Sequence, residues 1–127
     1  MDQSYKKIEK LKGQKLIEKL FSEGKSIAVY PLRLVYLKTN FDDSVSIKSG
    51  FSVSKRNFKK AVDRNRIKRL MREAYRLNKS AYFNNITDQY AFIILYIGKA
   101  QTDFTTVSKK MNALMALFSK QQSLPKP

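Results

Sequence analysis

The chain has 127 residues, 26 Lys and Arg against 10 Asp and Glu, a net charge of +16, and neither Cys nor His. This length fits one domain, and 43% apolar content can fill a core. Disulfides and Cys/His metal sites are excluded, and no imidazole is available as a general base. So large a cationic excess repels itself in a compact fold and points to an anionic partner, either nucleic acid or a membrane surface.

Met1 to Lys7 is polar, and no apolar run follows that could be a signal peptide. The longest apolar stretch, Tyr90 to Ile97, is too short to cross a bilayer. The expected location is the cytoplasm, and the lack of cysteine fits a reducing compartment.

Leu11, Leu16, Ile17, Leu20 and Phe21 recur at helical spacing and Gly24 supplies a stop, which predicts a helix over Gln14 to Glu23. A short strand near Ser26 to Val29 is possible, and Tyr30-Pro31 reads as a bend entering the next strand. Leu32 to Thr39, rich in branched and aromatic residues, predicts a strand, and Asn40 to Ser44 a turn. Val45, Ile47, Ser49, Phe51 and Val53 alternate with Ser46, Lys48, Gly50, Ser52 and Ser54, the pattern of a half-buried strand. Ala61 to Leu77 reads as a long helix. Tyr90 to Ile97 reads as a central strand covered on both faces.

Thr102 or Asp103 can cap a last helix through Ser119, with Phe104, Val107, Met111, Leu114, Met115 and Phe118 inward. The polar tail from Gln121, with two prolines, reads as frayed. The expected architecture is a single α+β domain over residues 1–127, ordered from about 11 to 119 and frayed over 120–127. Its order is α-β-β-β-α-β-α, with helices packed on a small, mostly antiparallel sheet.

Charge is concentrated in one segment. Residues 55–79 hold eleven basic residues against Asp63 and Glu73. At about 100° per residue, Ile67, Leu70, Met71, Ala74 and Leu77 share one side of this helix. Arg64, Asn65, Lys68, Arg69, Arg72 and Arg76 share the other, with Arg66 at the far edge. An ordinary solvated face mixes signs, whereas this one has six cations against a single acid from Arg64 to Arg76. Guanidinium forks match phosphate oxygens, and Asn65 can donate to and accept from a base or sugar. A membrane-surface helix would need bulky apolar residues free for lipid, and here the core claims them.

At this helix the sequence resembles the bacterial ribonuclease P protein component. The likeness runs through Phe51-Ser52-Val53-Ser54-Lys55-Arg56 and then Lys60-Ala61-Val62-Asp63-Arg64-Asn65-Arg66-Ile67-Lys68-Arg69-Leu70-Met71-Arg72-Glu73-Ala74. Leu20-Phe21 before Gly24 and Leu34-Val35-Tyr36 extend it outward, so that it covers about residues 11 to 118. The resemblance implies a protein that binds a large catalytic RNA and the 5′ leader of precursor tRNA. The RNA, with Mg²⁺, would hydrolyse the phosphodiester that frees the mature 5′ end, and the protein itself would hold no cofactor or metal. Carried over by position, the RNA-contact set is Arg64, Asn65, Arg66, Lys68, Arg69 and Arg72, joined by the basic residues Lys55, Arg56, Lys59 and Lys60.

A leader cleft would be lined by Ile17, Phe21, Leu34, Tyr36 and Ser52 together with the exposed side of the helix. A left-handed β-α-β crossover is likewise implied by the resemblance alone, against the usual handedness. No membrane and no obligate protein partner are expected. Relatives often carry an aromatic where Ile17 stands, and many have a glycine in the loop that here reads Asn57-Phe58-Lys59-Lys60.

The residues themselves argue against chemistry by the protein. Two-metal nucleases gather carboxylates around Mg²⁺, but the ten here are scattered, and only Asp42-Asp43 adjoin, in an expected turn. There is no Gly-rich phosphate loop. No residue is therefore assigned as catalytic. Phe21, Tyr36, Phe51 and Phe92 read first as core aromatics; for Phe21 and Tyr36, a place against unpaired nucleotides is the competing reading. Another RNA binder such as a ribosomal protein shares the charge and size but not the Ser-Val-Ser-Lys to Arg-Asn-Arg block. A DNA-binding regulator would lay the basic helix in a major groove, yet no heptad or dimer helix accompanies it.

Overall fold

The uniformly apolar run that starts at Tyr90 becomes the centre of the molecule. A computed structural model describes residues 9–83, 86 and 88–123. In chain order the elements are α1 (Gln14–Glu23), β1 (Lys25–Val29), β2 (Leu32–Thr39), β3 (Ile47–Val53), α2 (Ala61–Phe83), β4 (Gln89–Tyr96) and α3 (Phe104–Ser123). The sheet order is β1-β2-β4-β3, with β4 inside it. β1 and β4 run antiparallel to β2, while β3 and β4 are parallel and joined by α2.

Register assigns each side chain to a face, because paired residues point the same way and neighbours along a strand alternate. Leu32, Leu34 and Tyr36 of β2 pair with Tyr96, Ile94 and Phe92 of β4. They join Ile67, Met71 and Ala74 of α2 and Val107, Met111, Leu114 and Phe118 of α3 in the larger core. Val35, Ala91 and Ile93 point the other way and bury Leu20 of α1, with Leu11, Leu16, Ile17 and Phe41 packed around them. One face therefore carries α2 and α3, and the other carries α1. That double cover explains why β4 shows no polar alternation.

The helix α1 ends where expected. Gly24 follows it with its N–H bonded to the Leu20 carbonyl at 2.9 Å. A Cβ on Gly24 would fall 2.3 Å from that carbonyl, so the close turn into β1 requires glycine. Ahead of α1, Lys10 bridges Ser49 in parallel fashion and the Leu11 N–H donates to the Ser49 carbonyl at 2.9 Å. This short segment covers part of the outer edge of β3, an edge that would otherwise offer unpaired backbone groups.

Three expectations need correction. First, α2 runs on to Phe83, past Leu77. Tyr82 and Phe83 pack against the larger core and anchor the added turns, and Asn78 reaches the Ala74 carbonyl at 2.7 Å. Second, residues 120–123 are helical, not frayed. Gln121 and Gln122 accept hydrogen bonds from the Tyr36 and Tyr90 hydroxyls at 3.5 and 2.8 Å, which ties this turn to the sheet. The remainder of the expected tail, 124–127, and the polar start, 1–8, lie outside the described residues. Third, Val45 precedes β3, which begins at Ile47.

The start of α3 is as expected. Asp103 Oδ1 accepts the Thr106 N–H at 2.8 Å, and chiefly this bond holds the carboxyl below its usual pKa. A carboxyl whose folded-state pKa is depressed stabilises fully above its unfolded value, and that contribution is lost as pH falls through the lower, folded value. Asparagine caps without titrating. Asp103→Asn should therefore show a melting temperature less dependent on pH in the acid range than the parent. Parallel melting curves for the two proteins from pH 5 downward check this, and parallel slopes would refute it.

Candidate nucleic-acid interface

The basic helix α2 buries the side expected of it. Ile67, Met71 and Ala74 are fully covered, and so is Tyr75, which the helical reading omitted. Leu70 and Leu77 are half-buried. On the other side Asn65, Arg66, Arg69 and Arg72 are exposed, and Arg64, Lys68 and Arg76 are half-buried. The helix flanks β3, the outer strand. There the Arg72 guanidinium lies 6.0 Å from the ring of Phe51, which itself meets Tyr75 edge-on at 5.7 Å.

The cations divide into two groups that the sequence does not separate. Toward the C-terminal end, Arg76 Nε donates to Glu73 Oε2 at 3.1 Å, and Lys79 pairs with Glu9. The Arg76 hydrogen bond also lowers the Glu73 pKa. These charges are offset within the fold. Among the described residues no carboxylate pairs with Lys68, Arg69 or Arg72. The unneutralised field therefore covers residues 55–72.

Two arginines of the Arg-Asn-Arg motif also brace loops. Arg64 Nη1 donates to the Phe58 and Lys59 carbonyls at 2.8 and 2.9 Å. Arg66 Nη1 donates to Gln101 Oε1 at 3.1 Å and to the Thr102 carbonyl at 2.8 Å. A guanidinium carries five N–H donors, so each arginine can hold a loop with one nitrogen and present other donors outward. The loop at 54–60 gains further order from Phe58, buried against Tyr96, and from the Arg56 N–H donating to Ser54 Oγ at 3.1 Å. Lys55, Arg56, Lys59 and Lys60 are all exposed on this loop.

The residues expected to line a cleft do not all come together. Ile17, Phe21 and Ser52 lie on the α1 side of the sheet: Ile17 packs on the smaller core, and Ser52 pairs with Leu95. Leu34 and Tyr36 belong to the opposite face. Leu34 is 2% exposed and Tyr36 9%, and the Tyr36 ring packs edge-on to Phe118 at 5.0 Å. They are core residues and cannot line a cleft shared with α1. The expectation slips by one residue along β2, and in a strand that moves a side chain to the other face.

The α1 side instead offers Arg33 and Val35. Val35 lies under α1, but Arg33 belongs to a cross-strand row, Ala28–Arg33–Leu95–Ser52, of exposed and half-buried residues. On the same side of the sheet Phe21 is 55% exposed, one helical turn from Ile17. Sequence reasoning missed Arg33 and Leu95 because only register identifies their row.

Of the adjoining pair Asp42-Asp43, Asp43 has a structural role. Asp43 Oδ1 accepts the Val45 N–H at 3.1 Å and Oδ2 pairs with Lys48 at 2.8 Å, and the Lys48 hydrogen bond is the main reason its pKa is lowered. The Gln89 amide donates to the Asp43 and Val45 carbonyls at 2.8 and 2.9 Å and fixes the loop from inside. Among the described residues no three carboxylates gather as they would around a metal ion, and no helix is long and apolar enough to cross a membrane.

A single mixed sheet, a cationic helix laid along its outer strand and a second, partly open face together define a small nucleic-acid-binding domain. The family model for ribonuclease P matches residues 5–119. The ribonuclease P protein component of Porphyromonas gingivalis is 40% identical over 108 residues, covering 83% of this chain and 79% of that one. Its counterpart in Chlorobium phaeobacteroides is 38% identical over 125 residues, covering 88% and 86%. Among solved structures, the RNase P protein of Thermotoga maritima superposes with a TM-score of 0.67 at 26% identity, covering 84% of this chain and 96% of that one. The Staphylococcus aureus RNase P protein gives 0.69 at 19% identity, covering 86% and 94%, a likeness of fold. The chain belongs to the ribonuclease P protein family, whose members act with an RNA subunit as the endoribonuclease that matures tRNA 5′ ends.

Proposed function

We propose that this protein holds the catalytic RNA on the basic side of α2 and the 5′ leader of precursor tRNA on the α1 side of the sheet. The RNA-contact set is Arg64, Asn65, Arg66, Lys68, Arg69 and Arg72, with Lys55, Arg56, Lys59 and Lys60 on the adjoining loop. The leader runs as an extended single strand past Ile17 and Phe21 and across Arg33, Leu95 and Ser52. Single strands bind where a positive rail borders a flat apolar platform, and α2 and Arg33 supply the charge. Mg²⁺ serves the RNA subunit, and the protein contributes position and electrostatics in the cytoplasm.

The observation that carries the leader assignment is Phe21, a phenylalanine 55% exposed on the same side of the sheet as the open row. A ring left half in water in the free protein is available to stack on a base. Base–aromatic stacking amounts to about 1–3 kcal/mol per base. Phe21→Ala should therefore weaken precursor tRNA binding by the holoenzyme roughly 5- to 150-fold, with mature tRNA, which lacks a leader, nearly unaffected. Paired affinity measurements on the two substrates decide it. Equal losses on both, in a folded protein, would overturn the leader track.

A further inference from the structure

Three segments meet at the end of the sheet where β2 begins and β3 and β4 finish. The Ile97 N–H donates to the Pro31 carbonyl at 2.8 Å, and the Asn57 side-chain amide donates to the Gly98 carbonyl at 3.4 Å. Gly98 fits so closely that a Cβ there would lie 3.0 Å from the Pro31 Cβ and 2.9 Å from the Tyr96 hydroxyl. Arg66 fastens the next residues of the same loop to α2. The β1–β2 turn and the loop at 54–60 are thus both fastened to the loop that follows β4, at Ile97 and Gly98.

Tyr30 stands at the tip of this turn and is 65% exposed, more than Phe21. The junction around it is cationic. Lys99 is exposed on the loop after β4 that the turn meets, and Lys55, Arg56, Lys59 and Lys60 are exposed on the loop at 54–60, which Asn57 fastens to that same loop. The acids nearest in sequence to those two loops are Asp63 on α2 and Asp103, which is engaged in capping α3, and the acid nearest to the turn is Glu23 at the end of α1. A large ring left in water is a recurrent anchor for a partner. One set beside loops rich in lysine and arginine suits the flat face of a nucleobase with its phosphates alongside.

We propose that Tyr30 is a stacking platform for an unpaired nucleotide of the catalytic RNA, with Lys99 and the loop at 54–60 holding the flanking phosphates. The proposal rests on the RNA-binding reading of α2 and extends that interface around the end of the sheet to the β1–β2 turn. The shared chemistry is an unpaired base. The catalytic RNA is the favoured source because the surrounding cations continue the field of α2.

The sequence contains no tryptophan, so Tyr30→Trp introduces one reporter. Its fluorescence should be quenched on titration with catalytic RNA alone, with no precursor present. Tyr30→Ala should weaken binding of that RNA roughly 5- to 150-fold, from about 1–3 kcal/mol per stacked base. Tyr30→Phe should stay within about twofold because it keeps the ring.

Quenching that appears only when leader-bearing precursor is added would overturn the proposal and assign Tyr30 to the leader track. Unchanged affinity in Tyr30→Ala would also overturn it. If the alanine variant of Lys68, Arg69 and Arg72 loses RNA in the same assay while Tyr30→Ala does not, only the Tyr30 site fails. If neither loses RNA, the reading of α2 fails with it.

Discussion

Replacing Lys68, Arg69 and Arg72 together by alanine is expected to lower affinity for the catalytic RNA by about three orders of magnitude, at a charge-assisted contribution of about 1.5 kcal/mol per contact. These three side chains lie on the outward side of α2, and none pairs with a described carboxylate. The salt dependence is the sharper measurement. Each phosphate neutralised adds about 0.7–0.9 to the log–log slope, so the triple variant should lose about 2–3 units of it. Stability should move little, because Arg69 and Arg72 are exposed and the contact of Arg72 with Phe51 is a surface cation–π pair of about 0.5–1 kcal/mol. Parallel salt titrations of parent and variant, with circular dichroism as the check on folding, decide the matter. An unchanged slope removes α2 from the RNA interface.

Phe118→Ala is expected to be the most damaging single change to the fold. The ring is fully buried and meets Phe92, Tyr36, Tyr90 and Phe83 with centroids at 4.8, 5.0, 5.2 and 6.0 Å, all edge-on. Removing a buried phenyl group costs about 3–5 kcal/mol, against a total stability of about 5–15 kcal/mol for a domain. Urea unfolding should show the midpoint falling sharply with little change in slope. RNA affinity measured well below that midpoint should stay near the parent value, since α3 lies outside the cationic field. A loss under about 1 kcal/mol would mean that the aromatic cluster is not the keystone of the larger core.

Much of this was legible beforehand, for identifiable reasons. α1 and β2 match their expected limits because a glycine, a turn and a change of period mark their ends. The inward set of α3, from Phe104 to Phe118, follows from helical spacing alone. The error at Leu34 and Tyr36 has a cause in the same physics. β2 is covered on both sides over Leu34-Val35-Tyr36-Leu37, so its side chains show no polar alternation, and nothing local tells one face from the other. Only the pairing Val35↔Ile93, under α1, fixes the register. The open row of Arg33 and Leu95 depends on where α1 stops over the sheet, and the bracing by Arg64 and Arg66 on loops distant in space. Neither quantity is carried by a short window of sequence.

The parallel pairing of β3 with β4 also has a kinetic meaning. Ile47 pairs with Tyr90, and Thr39 with Gln89. Until β4 is made, β2 and β3 share no neighbour, and the nascent chain holds a hairpin and a lone strand with both inner edges open. Closing the sheet means closing the long loop that contains α2, a loss of chain entropy that must be met before the contacts reward it. That loop also carries the densest positive charge of a chain at +16, so its mutual repulsion opposes compaction. A polyanion gripping α2 removes the repulsion in the segment whose ordering closes the sheet. If the RNA binds α2 as proposed, its assembly with the protein and the completion of the fold are thermodynamically linked.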